Sequence, residues 1–389
     1  MPEAEVPAPA ALDHITSLLD SAVAHGRIPG LVAMAGRGPA IVGHWVAGQA
    51  DTSQADTSPA DTSPARPMRA GTVFDLASLT KVVATTTVTL ALAGQGMLAL
   101  EDPVRTYLPQ FPVGQGSPVT IRHLLTHTSG LPGGRKFYRW CQSRAELLSE
   151  VYQTPLEAPP GERVVYSDLG FMALGEVLAT VTGSPLDQVT ARLVTGPLGL
   201  TGTGFNPPGP PGRFAATEVV APGEAWCGTV HDENARLMGG VAGHAGLFAP
   251  AADLARFAAW WVSDADTVIP AALRSTAATC QTPGDPAPGG PAPATRGRRG
   301  LGWVCPGDAF DILGGSWPAT SVSHTGFTGT SLALDPASGL WLVLLTNAVH
   351  AGRDPAAIVA LRRAVHAALA ANPPGAAPPA VTPPTATPP

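Results

Sequence analysis

Nineteen consecutive residues, Val82–Leu100, carry no charged side chain. A run of that length either crosses a bilayer or lies inside a protein core, since about 20 helical residues span the hydrocarbon layer. Four threonines and two glycines interrupt its apolar character, and they suit a helix packed on all sides by protein better than one facing lipid. We read it as a buried central helix around which the rest of the chain must wrap, with no membrane partner.

The pattern on either side says how. Leu12, Ile15, Leu18, Leu19 and Val23 recur at spacings of three and four, which predicts a helix over residues 10–26. Leu31–Ala35 and Ile41–Val46, joined by Gly36–Arg37–Gly38–Pro39, read as a hairpin. The pentads ADTSQ-ADTSP-ADTSP over residues 50–64 hold only small polar residues and proline, and read as a loop tip outside any core. From Asp75 to about Met238 the chain reads as mostly helical, with Pro/Gly-rich connectors at Pro112–Pro118, Pro159–Gly161 and Pro207–Gly212. After a further such loop, Thr282–Gly300, strand-like runs follow at Ser321–His324, Thr330–Leu334 and Leu340–Thr346. A last helix is predicted over Pro355–Ala371, and Asn372–Pro389 reads as a disordered Pro-rich tail.

Strands at both ends that bracket a helical middle imply an α+β chain. One antiparallel sheet is built from both termini and flanked by helices, with a second, mostly helical lobe and a cleft between. The expected parts are residues 1–74 and 241–371 in the sheet lobe, 75–240 in the helical lobe and 372–389 as the tail. At 389 residues, 44% of them apolar, the chain can bury such an interior.

Composition excludes several classes of partner. The net charge is −6 and no basic stripe occurs, which argues against nucleic acid. Cys141, Cys227, Cys280 and Cys305 are widely spaced without a zinc pattern and read as buried free thiols. The start, MPEAEVPAPAALDH, has acids where a secretory leader has basic residues, so the expectation is a cytoplasmic chain, with a leaderless export route as the alternative. Of 23 basic residues only Lys81 and Lys136 are lysine. A lysine kept where arginine is the default suggests chemistry that arginine cannot perform.

Three short segments carry that chemistry. Asp75–Lys81 reads DLASLTK. On a helix, Ser78 and Lys81 share a face, and a nearby amine can draw the proton from a weak hydroxyl nucleophile. Backbone N–H groups at a helix start are free to receive an oxyanion. Pro160–Asp168 reads PGERVVYSD. It places Tyr166 on a loop just ahead of an amphipathic helix, where a phenol can relay protons, and Ser167 and Asp168 are both candidate caps, Asp168 the favoured one. Ser323–Thr330 reads SHTGFTGT, and Gly326 leaves that strand edge open to close approach.

In this order and spacing, Ser-x-x-Lys, Tyr-x-Asp and His-Thr-Gly resemble the motifs of the penicillin-recognising serine hydrolases. Within them the chain is similar to the class C β-lactamase branch, with its D-alanyl-D-alanine carboxypeptidases, aminopeptidases and esterases. Thr120–Pro132, His231–Ala235, Gly239–Phe248 and His324–Asp335 extend the likeness from about Ile28 to Val365. The resemblance implies a β-lactamase/transpeptidase-like fold. It implies Ser78 as the acylated nucleophile, with Lys81 and Tyr166 sharing the proton transfers. Asp168, His324, Thr325, Gly326 and Phe327 would line the substrate and oxyanion side, the second oxyanion donor being the Phe327 N–H.

Two departures from that pattern shift the expected substrate. Asp168 stands where many relatives have asparagine, and its charge would keep Lys81 protonated, pushing the base role toward Tyr166 or His324. His324 stands where a lysine would grip a substrate carboxylate, and imidazole is mostly neutral at pH 7. The expectation is therefore a cofactor-free serine hydrolase acting on a small ester, amide or peptide. The alternatives are a β-lactamase or D,D-carboxypeptidase, and an inactive binding or sensor protein on the same fold. His123 and His127 have a metal-ligand spacing but lack the glutamate of a zinc protease, so no metal is expected. His231, Asp232, Glu233 and His244 are read as a supporting polar group near the cleft. The oligomeric state is not legible.

Overall fold

Strand β1 (Gly30–Arg37) lies between β2 (Ala40–Asp51) and β11 (Leu340–Thr346), so the two ends of the chain share one antiparallel sheet. The structure is a computed structural model and describes residues 9–53, 65–112, 117–282 and 297–371. The DTS repeat beyond Ser53, parts of the connectors at 112–118 and 282–300, and the Pro-rich tail lie outside the described residues. The main sheet has six strands in the order β3-β2-β1-β11-β10-β9, with β3 at Arg66–Pro67, β9 at Val322–Thr325 and β10 at Ser331–Asp335.

Both faces of this sheet are covered, which is why β11 reads as an unbroken apolar run. Side chains alternate along a strand. Leu340, Leu342 and Leu344 face the helices α1 (Pro9–Ala24) and α10 (Ala356–Ala371), meeting Ile15, Leu19, Val365 and Leu369. Trp341, Val343 and Leu345 face the larger core, which holds Phe257 and Trp261 of α8 (Ala251–Trp261).

Between β3 and Pro250 the chain is not uniformly helical. Short strands β4 (Val73–Asp75), β5 (Gly204–Phe205) and β8 (Leu247–Pro250) form a three-stranded sheet, and β6 (Ala216–Ala221) pairs with β7 (Glu224–Cys227) in a ribbon. The mostly helical reading of residues 75–238 does not include these short strands. The ribbon's turn is Pro222–Gly223, a strand-punctuating pair flanked by Val219 and Val220, which are exposed and so left no apolar period to read. The helices here include α2 (Thr87–Gly94), α3 (Ile121–Leu125), α4 (Arg144–Gln153), α5 (Asp168–Thr182), α6 (Leu186–Thr190) and α7 (Glu233–Leu237), with α9 (Ala271–Ala278) after α8.

The helix over the uncharged run starts one residue before it as a π-helical stretch, Lys81–Thr86, continues as α2 (Thr87–Gly94) and stops short of Leu100. Threonine hydroxyls act on its backbone, with Thr87 Oγ1 donating to Val82 O at 2.8 Å and Thr89 Oγ1 to Thr85 O at 2.7 Å. A hydroxyl bonded five residues back fits the wider π turn. Ala77–Gly94 has the length and hydropathy of a membrane span, yet 83% of it is buried inside the fold.

Candidate active site

Strand β4 ends at Asp75, and the next three residues turn sharply to present Ser78. Ala77 takes φ +46, a left-handed conformation that a residue with a Cβ adopts only under constraint. The buried Asp75 carboxylate supplies the constraint: Oδ1 accepts the Ala77 N–H at 2.8 Å and Oδ2 accepts the His231 N–H at 2.7 Å. Burial pushes this carboxyl up from its ordinary 3.8, against the pull of those two N–H bonds.

Lys81 follows one turn later and is fully buried. Its Nζ donates to Ser78 Oγ at 2.9 Å and to the His244 carbonyl at 3.0 Å, and stands 2.7 Å from Asp168 Oδ1. The first two are hydrogen bonds and the third is an ion pair. Burial alone would lower the Lys81 pKa; the charge of Asp168, with Tyr166 beside it, overrides this and raises it above the ordinary 10.5. Lys81 is thus a fixed cation at neutral pH. The His244 carbonyl reaches it because Gly243 packs against α5: a Cβ there would stand 2.0 Å from Phe171 O. His244 itself is held through Nε2 by Asp232 Oδ1 at 2.9 Å, and Asp232 also caps α7.

Tyr166 lies just ahead of α5, its ring centroid 4.9 Å from Lys81 Nζ. The cap of α5 is Ser167, whose hydroxyl accepts the Gly170 N–H; Asp168, expected to cap, is instead the first helical residue and turns to Lys81. His127, also left-handed at φ +58, fixes the Tyr166 loop from below. Its Nδ1 accepts the Ser167 N–H at 3.0 Å, its carbonyl accepts the Val165 N–H, and its ring packs 4.6 Å from that of Tyr166. With Nδ1 an acceptor, the proton sits on Nε2. His123 faces elsewhere, closing a capping box with Thr120. No group of His, Cys, Asp or Glu among the described residues is arranged to hold a metal.

The His-Thr-Gly segment is β9 and its exit. Thr328 Oγ1 donates to Asp75 O at 2.7 Å and Thr330 Oγ1 to Leu76 O at 3.0 Å, so this loop is tied to the turn that carries Ser78. Gly326 makes the approach possible, since a Cβ there would come within 2.4 Å of Leu76 O. Arg362 of α10 donates to Gly326 O and Thr330 O from behind. Phe327 is exposed, with its ring stacked on His231 at 5.5 Å. Thr325 is half-buried. His324, expected to face a substrate, is 2% exposed, and its Nδ1 donates to Thr325 O at 3.0 Å. Burial, then the charges of Lys81 and Arg299, hold its pKa well below 6.5, so the ring is neutral.

The polar group His231–His244 divides by partner. Asp232 holds His244, His231 meets Glu218 at 3.3 Å, and Glu233 meets Arg353 at 2.8 Å. Two residues at the site carried no signal of it in the sequence. Arg299, in the run Arg296–Gly297–Arg298–Arg299, reads as a solvated loop, yet its side chain is 1% exposed, paired with Asp308 at 2.9 Å and 5.6 Å from the Tyr166 ring. Phe310 packs over both, 5.4 Å from the Tyr166 ring.

The Beta-lactamase family model matches residues 15–367. A putative D-alanyl-D-alanine carboxypeptidase of Escherichia coli (strain K12) is 32% identical over 322 residues, covering 73% of this chain and 71% of that one. Among solved structures, EstCE1, a hydrolase with promiscuous acyltransferase activity, superposes with a TM-score of 0.68 at 24% identity, covering 91% of this chain and 98% of its own. Unliganded simvastatin synthase (LovD) from Aspergillus terreus gives a TM-score of 0.71 at 22% identity, covering 94% and 99%.

Proposed function

The chain belongs to the Beta-lactamase family, and from that premise we propose that it hydrolyses a small ester or amide through an acyl-enzyme on Ser78. The observation that carries this reading is Lys81 Nζ, buried and charged, bonded to Ser78 Oγ at 2.9 Å while held by Asp168 and His244 O. A lysine held cationic by Asp168 orients the hydroxyl and is not itself free to take its proton. The base in this reading is Tyr166.

The Tyr166 phenolate removes the Ser78 proton as Oγ attacks the carbonyl carbon. The negative charge passes to the carbonyl oxygen, between the N–H groups of Ser78 and Phe327. Collapse of that adduct expels the alcohol or amine, which takes its proton from the Tyr166 hydroxyl. Water then enters, gives its proton to Tyr166, and attacks the acyl carbon. Ser78 leaves with the proton back from Tyr166, and the carboxylic acid is released.

Asp168 keeps Lys81 cationic, and Lys81 in turn favours the phenolate. Thr325 and Gly326 line the substrate strand. His324 is neutral and enclosed, so no positive charge is offered at the strand position where a carboxylate-binding lysine would stand. That supports uncharged esters and amides over peptides gripped by a terminal carboxylate. A D,D-carboxypeptidase or β-lactamase activity is the second reading, favoured by the name of the 32% identical relative. The complete set of Ser78, Lys81 and Tyr166 speaks against an inactive binding protein.

Intact-mass spectrometry after exposure to a fluorophosphonate and, separately, to benzylpenicillin, with a parallel penicillin hydrolysis assay, tests both readings. One fluorophosphonate adduct, absent in Ser78→Ala, is the expected result. A penicillin adduct or rapid penicillin hydrolysis moves the second reading to the front, and no adduct from either reagent without hydrolysis overturns both.

A further inference from the structure

A buried ion is costly unless its hydrogen bonds are met, and Arg299 leaves two unmet. Its side chain is 1% exposed; Nη2 pairs with Asp308 Oδ1 at 2.9 Å, while Nε and Nη1 are buried with no partner among the described residues. The Asp308 pair alone would be served by a guanidinium placed anywhere along its edge. Instead Arg299 stands on a segment bridged through Val304 to Ser323 of β9, with its guanidinium carbon 5.6 Å from the Tyr166 ring and 5.2 Å from Phe310. Phe310 shields it from water on the open side, which strengthens its field.

We propose that Arg299 is a positioning residue for the reaction, supplying the second fixed positive charge that favours the Tyr166 phenolate, a charge that the neutral His324 does not provide. This rests on the reading of Tyr166 as the base. The groups around Tyr166 are Lys81 on the π-helical stretch, with Asp168 of α5 behind it, His127 after α3, His324 of β9, and Arg299 with Asp308 behind it. Of these the two imidazoles are uncharged, each held well below 6.5 by burial and by nearby cations that include Arg299 and Lys81. Lys81 and Arg299 are therefore the cations beside the Tyr166 ring among the described residues.

The rate of Ser78 labelling by a fluorophosphonate, followed by intact mass from about pH 5 to about pH 10, reports the ionisation of the base. Arg299→Met combined with Asp308→Asn removes the ion pair without stranding either charge. It is expected to move the acid limb of the profile up by about one pH unit, a tenfold loss of rate on that limb, with labelling recovering at high pH. Arg299→Lys retains a cation and is expected to keep the limb near its wild-type position. Asp308→Asn alone removes the counter-charge and is expected to move the limb down, so it still tests the proposal if the double variant does not fold. A wild-type limb in the double variant, or in Asp308→Asn where only that folds, overturns the proposal even where the rate falls. Wild-type labelling across pH in Tyr166→Phe would instead overturn the reading of Tyr166 as base.

Discussion

Lys81 Nζ and Asp168 Oδ1 lie 2.7 Å apart, joining the fully buried start of one helix to the first residue of another. Asp168 is about a third exposed, so the pair is anchored from its lysine end. Asp168→Asn would leave the buried ammonium with only neutral acceptors. Breaking a buried pair costs several kcal/mol, and partial exposure of Asp168 reduces this to about 2 kcal/mol. Because the Lys81 pKa is raised above 10.5, the contribution is complete below that pH and is lost only as pH rises through the higher folded value. In the variant burial alone acts on Lys81 and lowers its pKa, so urea unfolding should show the full gap at about pH 6 and a smaller one toward about pH 9. No gap at about pH 6 contradicts a Lys81 cation held by Asp168.

Asp75 joins the two halves of the expected oxyanion site. Its carboxylate holds the Ala77 and His231 N–H groups, and its carbonyl accepts from Thr328, one residue after Phe327. Asp75→Asn keeps the shape but turns an NH2 group toward one of the two N–H donors. The expected result is a 10- to 100-fold slower labelling of Ser78 by a fluorophosphonate, roughly 1–3 kcal/mol of lost positioning. A variant that loses stability but labels at the wild-type rate would show that the left-handed turn at Ala77 holds without its carboxylate.

How much of this was readable before the structure depended on the kind of signal. The hairpin at β1 and β2, the strands β9 to β11 and the helices α1 and α10 follow from apolar period, because each buries a regular face. Ser78, Lys81 and Tyr166 stood out through residue type and order, and the structure brings their side chains together. The strand β4 was not legible, having three residues, and the β6–β7 ribbon keeps its valines exposed. His127 shows in the sequence only as half of an i, i+4 pair, since its work depends on a left-handed backbone that spacing does not reveal. Arg299 was hidden by its neighbours: in a basic, Gly-rich loop, nothing local marks the one arginine that folds inward. The burial of His324 behind the strand edge depends on tertiary packing alone.

Gly326 gives the next prediction. The obstacle to a side chain at this position is space, because an added Cβ would meet Thr330 Oγ1 at 2.2 Å and the Leu76 carbonyl at 2.4 Å. The carbonyl is backbone and cannot swing aside. Gly326→Ala should push the Phe327 amide away from Ser78, since Thr328 and Thr330 anchor the same loop. Loss of one oxyanion donor slows acyl transfer by about 100- to 1000-fold. The overpacking itself costs about 1–3 kcal/mol of stability. Burst kinetics with a p-nitrophenyl ester would separate the two, and an unchanged burst rate in a folded variant removes Phe327 from the oxyanion site.

Acid should destabilise the fold through its buried histidines. His127 and His324 are held well below 6.5, and His366 is lowered to about 4, in each case first by burial. Below pH 6.5 the unfolded chain takes up protons at these rings that the native protein does not. Stability therefore rises with pH through that window and is lost as pH falls. The contribution is complete above the ordinary imidazole value, and for His366 the loss continues down to about 4. Each ring contributes about 2 kcal/mol of loss between about pH 7.5 and pH 5. His366 is the cleanest probe, because it lies beside Trp317 under α10, away from Ser78, with Nδ1 bonded to Arg362 O at 2.6 Å. His366→Asn removes one titrating ring, so urea unfolding should show a pH dependence about 2 kcal/mol shallower than wild type over that range. An equal slope in the two proteins would mean that His366 gains its proton in the native state, through an opening of α10 that the packed structure does not contain.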